Sequence, residues 1–335
     1  MPVLCLMKKS RSLILGTTIT ILCLWLSFRH VRWSELVDYL QVASYPLVAA
    51  ASLIYLLSYA VRAFLWSELL GTSVRLGPLR LFEHLMLGVM ANNILPARMG
   101  ELVRCHLAAG DAHVARTRVF SSIFVERSLD VLCLFALTML AFAQDFGAVW
   151  PSRIALLALL LILLILGFIL AVVSAGQAVP RLVGRMLPRS CREKVAGRLA
   201  ELIAAFRGGL PPLRLDLRNM KIMAYALGCW VVWAGFLYAG LAAFAIQIPL
   251  VGVFMLTGII NLGVLAPSSP GFIGPFQFIC LQGLALYGVA PEKALAFSLV
   301  FHASWYLPST ILGAFFGLQM GLSRKQIKSM TQSAA

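Results

Sequence analysis

The chain has 335 residues, of which 61% are hydrophobic and only 12% charged, and its mean hydropathy is +0.90. A soluble domain carries roughly a quarter charged residues, so this composition excludes a soluble globular protein and points to an all-α polytopic membrane protein. The formal net charge of +15 does not announce a nucleic-acid partner. The basic residues gather in loops between apolar spans, where the positive-inside rule accounts for them, and no basic stripe with interleaved aromatics stands on a soluble region.

Lys8, Lys9 and Arg11 precede the apolar run LILGTTITILCLWLSF, which has no small-x-small cleavage site before Phe28-Arg29-His30. This predicts an uncleaved first helix with its N-terminus inside. About six full spans are expected, at 12–28, 46–70, 119–143, 152–174, 220–244 and 292–319, each long enough for a hydrocarbon core of about 30 Å. Two further apolar stretches, 79–109 and 250–289, are interrupted in the middle. The 176–221 stretch carries ten Lys/Arg against Glu193, Glu201 and Asp216, so it is expected in the cytoplasm, as is the C-terminal SRKQIK. Arg29 and Arg32, after the first span, dissent, but the adjacent loops outvote them.

The chain therefore divides into a first half at 10–175, a basic cytoplasmic loop at 176–219 and a second half at 220–320, all within one integral membrane domain. Within the loop, Val195, Leu199, Leu202, Ile203, Phe206 and Leu210 recur at helical spacing. That pattern fits a short amphipathic helix on an anionic leaflet, and equally a connector held by tertiary contacts. By parity of spans, 79–109 enters and leaves from the cytoplasm and 250–289 from the outside. The fold expected is thus an inverted repeat with two re-entrant or broken hairpins.

The two interrupted stretches resemble each other. NNILPARMGE carries Asn93, Pro96 and Gly100; NLGVLAPSSPGFIGPFQ carries Pro267, Pro270, Gly271 and Gly274. In each, Asn and apolar residues lead to Pro-x-x-x-Gly. Pro removes a donor and Gly permits sharp turns, and backbone freed from a helix within a membrane is tolerated only where protein or a wet cavity receives it. Both tips are expected to line such a cavity.

Ionised residues fall beside the first tip. Arg98, Glu101 and Arg104 step by three and would share a helical face, and Glu126, Arg127 and Asp130 follow in FVERSLD. Intramembrane charge is expensive unless paired or wet. Arg127 can pair with Asp130, and Glu126 with an arginine of the hairpin. Arginine suits bidentate capture of phosphate or carboxylate, so an anionic headgroup is one candidate ligand; structural ion pairs near the interface are the competing account. Arg62 is expected to snorkel to water, with Glu68 and Glu83 as candidate partners. Trp25, Trp33, Trp66, Trp150 and Trp305 lie near span ends, where interfacial anchoring explains most of them.

The seven cysteines are scattered without CxxC, the five histidines show no HExxH, and no GxxxxGK[ST] occurs. No disulfide framework, metal, cofactor or ATP use is expected.

Pro96-x-Arg98-x-Gly100-Glu101-x-x-Arg104, then Glu126-Arg127-x-x-Asp130, then Pro270-Gly271-Phe272-Ile273-Gly274 together resemble the membrane domain of lysylphosphatidylglycerol synthases, over roughly 10–320. That domain also circulates alone as a flippase-like family, some of whose members are associated with hopanoid lipids. The resemblance implies a multi-pass protein of the cytoplasmic membrane that moves or handles lipids between leaflets. It assigns Arg98, Glu101, Arg104, Glu126, Arg127 and Asp130 to a polar cavity. Many relatives have Glu where Gln277 stands and often Arg near His302, so this chain departs from the pattern at both positions, which still offer hydrogen bonds and a titratable ring. No aminoacyl-transferase activity is expected of these residues. The functional expectation is a lipid translocase for an anionic or zwitterionic headgroup, with membrane lipids, and lipid-biosynthesis proteins, as partners. The alternatives are an intramembrane lipid-modifying enzyme using Glu101 or Glu126 as base, or a non-transporting scaffold.

Overall fold

The computed structural model describes residues 16–29, 31–71, 74, 76–95, 99–145, 197, 200, 216–264 and 270–322. The expected span at 152–174, the amphipathic stretch at 195–210 apart from two positions, Trp150, Pro96, Arg98 and Pro267 lie outside these residues. The described residues are helical and contain no strand.

An apolar helix, α1 (Gly16–Phe28), is followed by a short amphipathic one, α2 (Trp33–Gln41), and then by α3 (Tyr45–Leu70). The first interrupted stretch forms α4 (Pro78–Ile94) and α5 (Gly100–Asp111), before the long α6 (Arg116–Asp145). In the second half α7 (Leu217–Ala243) leads to α8 (Leu250–Gly263), a 3-10 turn at Pro270–Phe272, α9 (Pro275–Ala285) and α10 (Pro291–Gln319). By length and composition α3, α7 and α10 can cross a membrane unaided. At 30 residues α6 is longer still, but its charged residues take it out of the plainly apolar class. At 12 residues α5 is only about 18 Å long and cannot span.

The boundaries follow from local chemistry. Pro46, Pro78, Pro275 and Pro291 stand in the first turns of their helices, where a missing N–H costs nothing. Asp216 caps α7 by accepting from the Asn219 N–H at 2.8 Å. Gly71 ends α3 at φ +73°.

Each half runs long, short, short, long, and the packing respects that order. The two leading helices, α3 and α7, lie along one another. They are antiparallel: the Ser44 N–H donates to the Ala243 carbonyl at 2.8 Å, while Arg218 Nη2 donates to the Glu68 carbonyl at 2.7 Å at the other end. The closing helix of each half packs on the first short helix of the other, α6 on α8 and α10 on α4. Glycine permits both crossings. A Cβ on Gly258 of α8 would overlap the Thr138 hydroxyl of α6, and one on Gly313 of α10 would come within 2.6 Å of the Met86 carbonyl of α4.

The helix α2 was not expected. Its apolar side, with Leu36 buried, packs on α10, and Arg32 just before it bonds Glu35 at 2.6 Å and Glu292 of α10 at 3.1 Å. The Glu292 hydrogen bond holds the Arg32 guanidinium above its ordinary range. Arg32, which dissents from the charge rule, thus has a carboxylate partner at this end of the bundle.

Candidate functional site

The first interrupted stretch turns back on itself through its small and amide residues. Gly88 and Gly100 let α4 and α5 touch backbone to backbone: a Cβ on Gly100 would overlap the Gly88 carbonyl oxygen. Asn92 Oδ1 accepts the Gly100 N–H at 2.7 Å, and its amide faces Glu101 Oε2 at 3.4 Å. Asn92 therefore caps α5 and fixes where it starts. That start places Arg104 inward, onto α6.

There Arg104 meets a buried ionic cluster drawn from three helices. Arg104 Nη1 donates to Glu126 Oε2 at 3.0 Å, and Arg62 Nη1 of α3 bridges Glu126 Oε1 at 2.9 Å and Asp130 Oδ2 at 2.7 Å. Arg127 reaches Glu126 at 2.7 Å and Asp130 at 3.2 Å. Relative exposure is 7% for Arg62, 3% for Arg104, 0% for Glu126 and 6% for Asp130, whereas the Arg127 side chain is 44% exposed. Aromatic rings complete the shell. Trp230 of α7 donates its indole N–H to Asp130 Oδ1 at 3.1 Å, and the Arg104 guanidinium lies 5.0 Å from the Trp66 ring. Trp66 is in turn held by the Ser122 hydroxyl at 3.0 Å.

The cluster is not closed. Its three guanidiniums face two carboxylates, and Arg104 Nη2 is buried without a hydrogen-bond partner. Glu101, half-buried one turn away, approaches Asn92. A buried guanidinium N–H left unpaired carries a substantial penalty, and its complement is an anionic oxygen.

A second polar group gathers at the other interrupted stretch. Gly271 and Gly274 adopt φ +71° and +93° and turn the chain into α9. Gln277 and His302 meet at 2.8 Å beneath this turn, with His302 stacked on Trp305 at 4.7 Å and 15°. Asn93 reaches across from α4 to Thr310 at 2.8 Å and Ser309 at 3.3 Å. The Tyr306 hydroxyl donates to the Asn93 carbonyl at 3.4 Å, and that carbonyl lies 3.4 Å from where a Gly271 Cβ would stand. The second turn thus abuts the end of α4.

The expected site residues divide between these groups. Glu101, Arg104, Glu126, Arg127 and Asp130 surround the first; Asn93, Gln277 and His302, with Pro270 and Gly271 beside them, form the second. Arg98 lies outside the described residues. Two expectations are corrected. Arg62 does not snorkel beside Glu68 and Glu83: it is buried on Glu126 and Asp130, while Glu83 bonds Arg80 at 2.6 Å. Trp66 and Trp305 are not interfacial anchors but buried rings, whereas Trp25 and Trp33 are exposed. Trp230 was missed altogether, although a buried indole N–H in an apolar helix usually finds a hydrogen-bond partner.

Helical spans of this length and a buried ion cluster define a polytopic membrane protein. Residues 13–313 match the family described as the lysylphosphatidylglycerol synthase TM region, and the chain belongs to that family. Among curated proteins it is 27% identical over 327 residues to glycosyltransferase AglD of Haloferax volcanii, covering 87% of this chain and 52% of AglD. It is 23% identical over 347 residues to UPF0104 membrane protein PH1989 of Pyrococcus horikoshii, covering 93% and 97% of the two chains. A UPF0104 membrane protein of Methanothermobacter thermautotrophicus is 24% identical over 286 residues, covering 79% and 83%. The chain thus spans about half the length of AglD and nearly all of PH1989. No solved structure gives a significant match.

Proposed function

We propose that this protein is a lipid translocase that moves an amphipathic lipid with an anionic or zwitterionic headgroup, its tails remaining in the bilayer. The observation that carries the reading is the open ionic cluster: three guanidiniums, two of them buried, on two carboxylates, with Arg104 Nη2 unpartnered. A purely structural network gains nothing from an orphaned donor in apolar surroundings. In a headgroup site, a phosphate oxygen completes it. In this reading Arg104 binds the headgroup, Arg62 orients Glu126 and Asp130, and Arg127, half in the open, guards the approach. Membership of a family described by a phospholipid synthase supports a lipid as cargo. The enzyme alternative is weaker, because Glu126 commits both oxygens to arginines.

The matching order and antiparallel pairing of the halves support an inverted repeat of about six spans and two re-entrant hairpins in one membrane domain. In that arrangement α4–α5 enters from the cytoplasm, α8–α9 enters from the outside, and both termini face the cytoplasm. The test is reconstitution into vesicles. The protein should accelerate transbilayer movement of a fluorescent anionic phospholipid, and Arg104→Ala should slow it by at least about tenfold, the loss of a charged hydrogen bond. No acceleration across anionic, zwitterionic and polyprenyl-phosphate reporters removes the translocase reading.

A further inference from the structure

Every carboxylate oxygen of Glu126 and Asp130 is already engaged. Glu126 Oε1 accepts from Arg62 at 2.9 Å and from Arg127 at 2.7 Å, and Glu126 Oε2 accepts from Arg104 at 3.0 Å. Asp130 Oδ1 accepts from the Trp230 indole at 3.1 Å, and Asp130 Oδ2 from Arg62 at 2.7 Å. Glu101, one turn before Arg104, faces Asn92 instead. The cluster thus leaves Arg104 Nη2 without an acceptor.

A loosely held guanidinium would swing toward another partner, but this one is fixed by its stem, an edge and a face. The stem passes over Gly88 of α4, where an added Cβ would stand 3.4 Å from Arg104 Cβ and 3.6 Å from Cδ. The Nη1 edge is bound to Glu126. The guanidinium lies over the Trp66 ring of α3, 5.0 Å from its centroid, an attraction that gains strength away from water.

Trp66 is itself fixed. Its indole N–H donates to Ser122 Oγ of α6 at 3.0 Å, and the Ser122 hydroxyl commits its own proton to the Val119 carbonyl at 2.7 Å. The serine oxygen is therefore the acceptor. Ser122 and Glu126 stand four residues apart and share one face of α6, so that face holds both the indole and the guanidinium. Trp66, Ser122 and Arg104 are all buried. A donor fixed before its ligand arrives loses little rotamer freedom on binding, and a free arginine has much to lose.

We propose that Trp66 and Ser122 are positioning residues, which hold Arg104 with its vacant N–H presented to a headgroup phosphate oxygen. The inference rests on the translocase reading and adds to it the residues that keep the binding arginine poised.

The test follows fluorescent phosphatidylglycerol in vesicles containing the full chain, with rates normalised to folded protein. Ser122→Ala deletes the acceptor and frees the indole. It should slow the lipid by about 3- to 10-fold, the equivalent of one neutral hydrogen bond. Ser122→Thr keeps the hydroxyl and should retain nearly the wild-type rate. Ser128→Ala, which removes an α6 hydroxyl bonded to the Phe124 carbonyl, should change nothing. In an Arg104→Ala background Ser122→Ala should slow the lipid no further, because the group it positions is gone. A merely structural hydroxyl would lower the rate by the same factor in both backgrounds, and that result overturns the inference. A wild-type rate for Ser122→Ala also overturns it and leaves the translocase intact. Wild-type protein that moves no lipid overturns both. Should Arg104→Ala leave no measurable rate, the contrast of Ser122→Ala with Ser122→Thr decides alone.

Discussion

Arg62 Nη1 lies 2.9 Å from Glu126 and 2.7 Å from Asp130, although 64 and 68 residues of chain separate them. This one atom ties α3 to α6 through an apolar interior. Its removal takes from Glu126 and Asp130 the buried donor they share, and breaking a buried pair from one side costs about 3–5 kcal/mol. Arg62→Ala should therefore lower the thermal midpoint of the detergent-solubilised protein well below that of an exposed control such as Lys221→Ala. The double variant Arg62→Ala/Glu126→Ala should lose less than the two single losses added together, since each single change already strands the other's partner. Additive losses would show that the pair does not act as a unit.

Much of the architecture was legible because its signals are local. Apolar runs set α3, α7 and α10, and the clustered Pro and Gly residues marked both interruptions. Asn92 and Asn93 were visible as oddities in a greasy helix, and their separate tasks, capping α5 and reaching α10, account for both. Arg62 was not legible. An arginine toward the end of an apolar helix reads as snorkelling, and only the fold brings Glu126 and Asp130 to it. Trp66 and Trp305 failed for the same reason, because position in a helix says nothing about which side a neighbouring helix covers. The helix α2 could have been found: Trp33, Leu36, Val37 and Leu40 recur at helical spacing, in a stretch too short to read as a span.

The α4–α5 turn depends on a backbone contact that no rotamer change can relieve. Gly100→Ala places a methyl on the Gly88 carbonyl oxygen, so the helices must separate and Arg104 must leave Glu126. Overpacking of this kind costs about 1–3 kcal/mol or more. Gly77→Ala, where a Cβ meets nothing within 4 Å, is the matched control. Gly100→Ala should reduce both stability and lipid movement while Gly77→Ala changes neither. Equal behaviour of the two would contradict the close approach.

The proposed inverted arrangement makes a four-position forecast. Gly77 and His113 flank the first hairpin, Gln247 and Ala290 the second, and all four are exposed. Single cysteines at these sites, in a background freed of native cysteines, should react with an impermeant maleimide in two classes. Positions 77 and 113 should label only from the cytoplasmic face, and positions 247 and 290 only from the outside. Labelling of 77 and 113 from opposite faces would make the first hairpin a full crossing.

The packing of α6 on α8 offers a test of whether the halves are held together by close helix approach. Lipid tails are as apolar as leucine, so membrane helices associate through fit and small residues rather than through the hydrophobic effect. Gly258 supplies the small residue and Thr138 the facing hydroxyl, which bonds its own helix at the Leu134 carbonyl, 2.6 Å away. Gly258→Ala should destabilise the protein by about 1–3 kcal/mol, read as a lower thermal midpoint. Thr138→Gly opens the space the new methyl needs, so the double variant should regain most of the loss. The Thr138 hydroxyl already has its partner within α6, so its removal leaves no orphaned donor on α8. If Thr138→Gly fails to rescue Gly258→Ala, the two helices do not meet at this pair and the contact drawn between the halves is wrong.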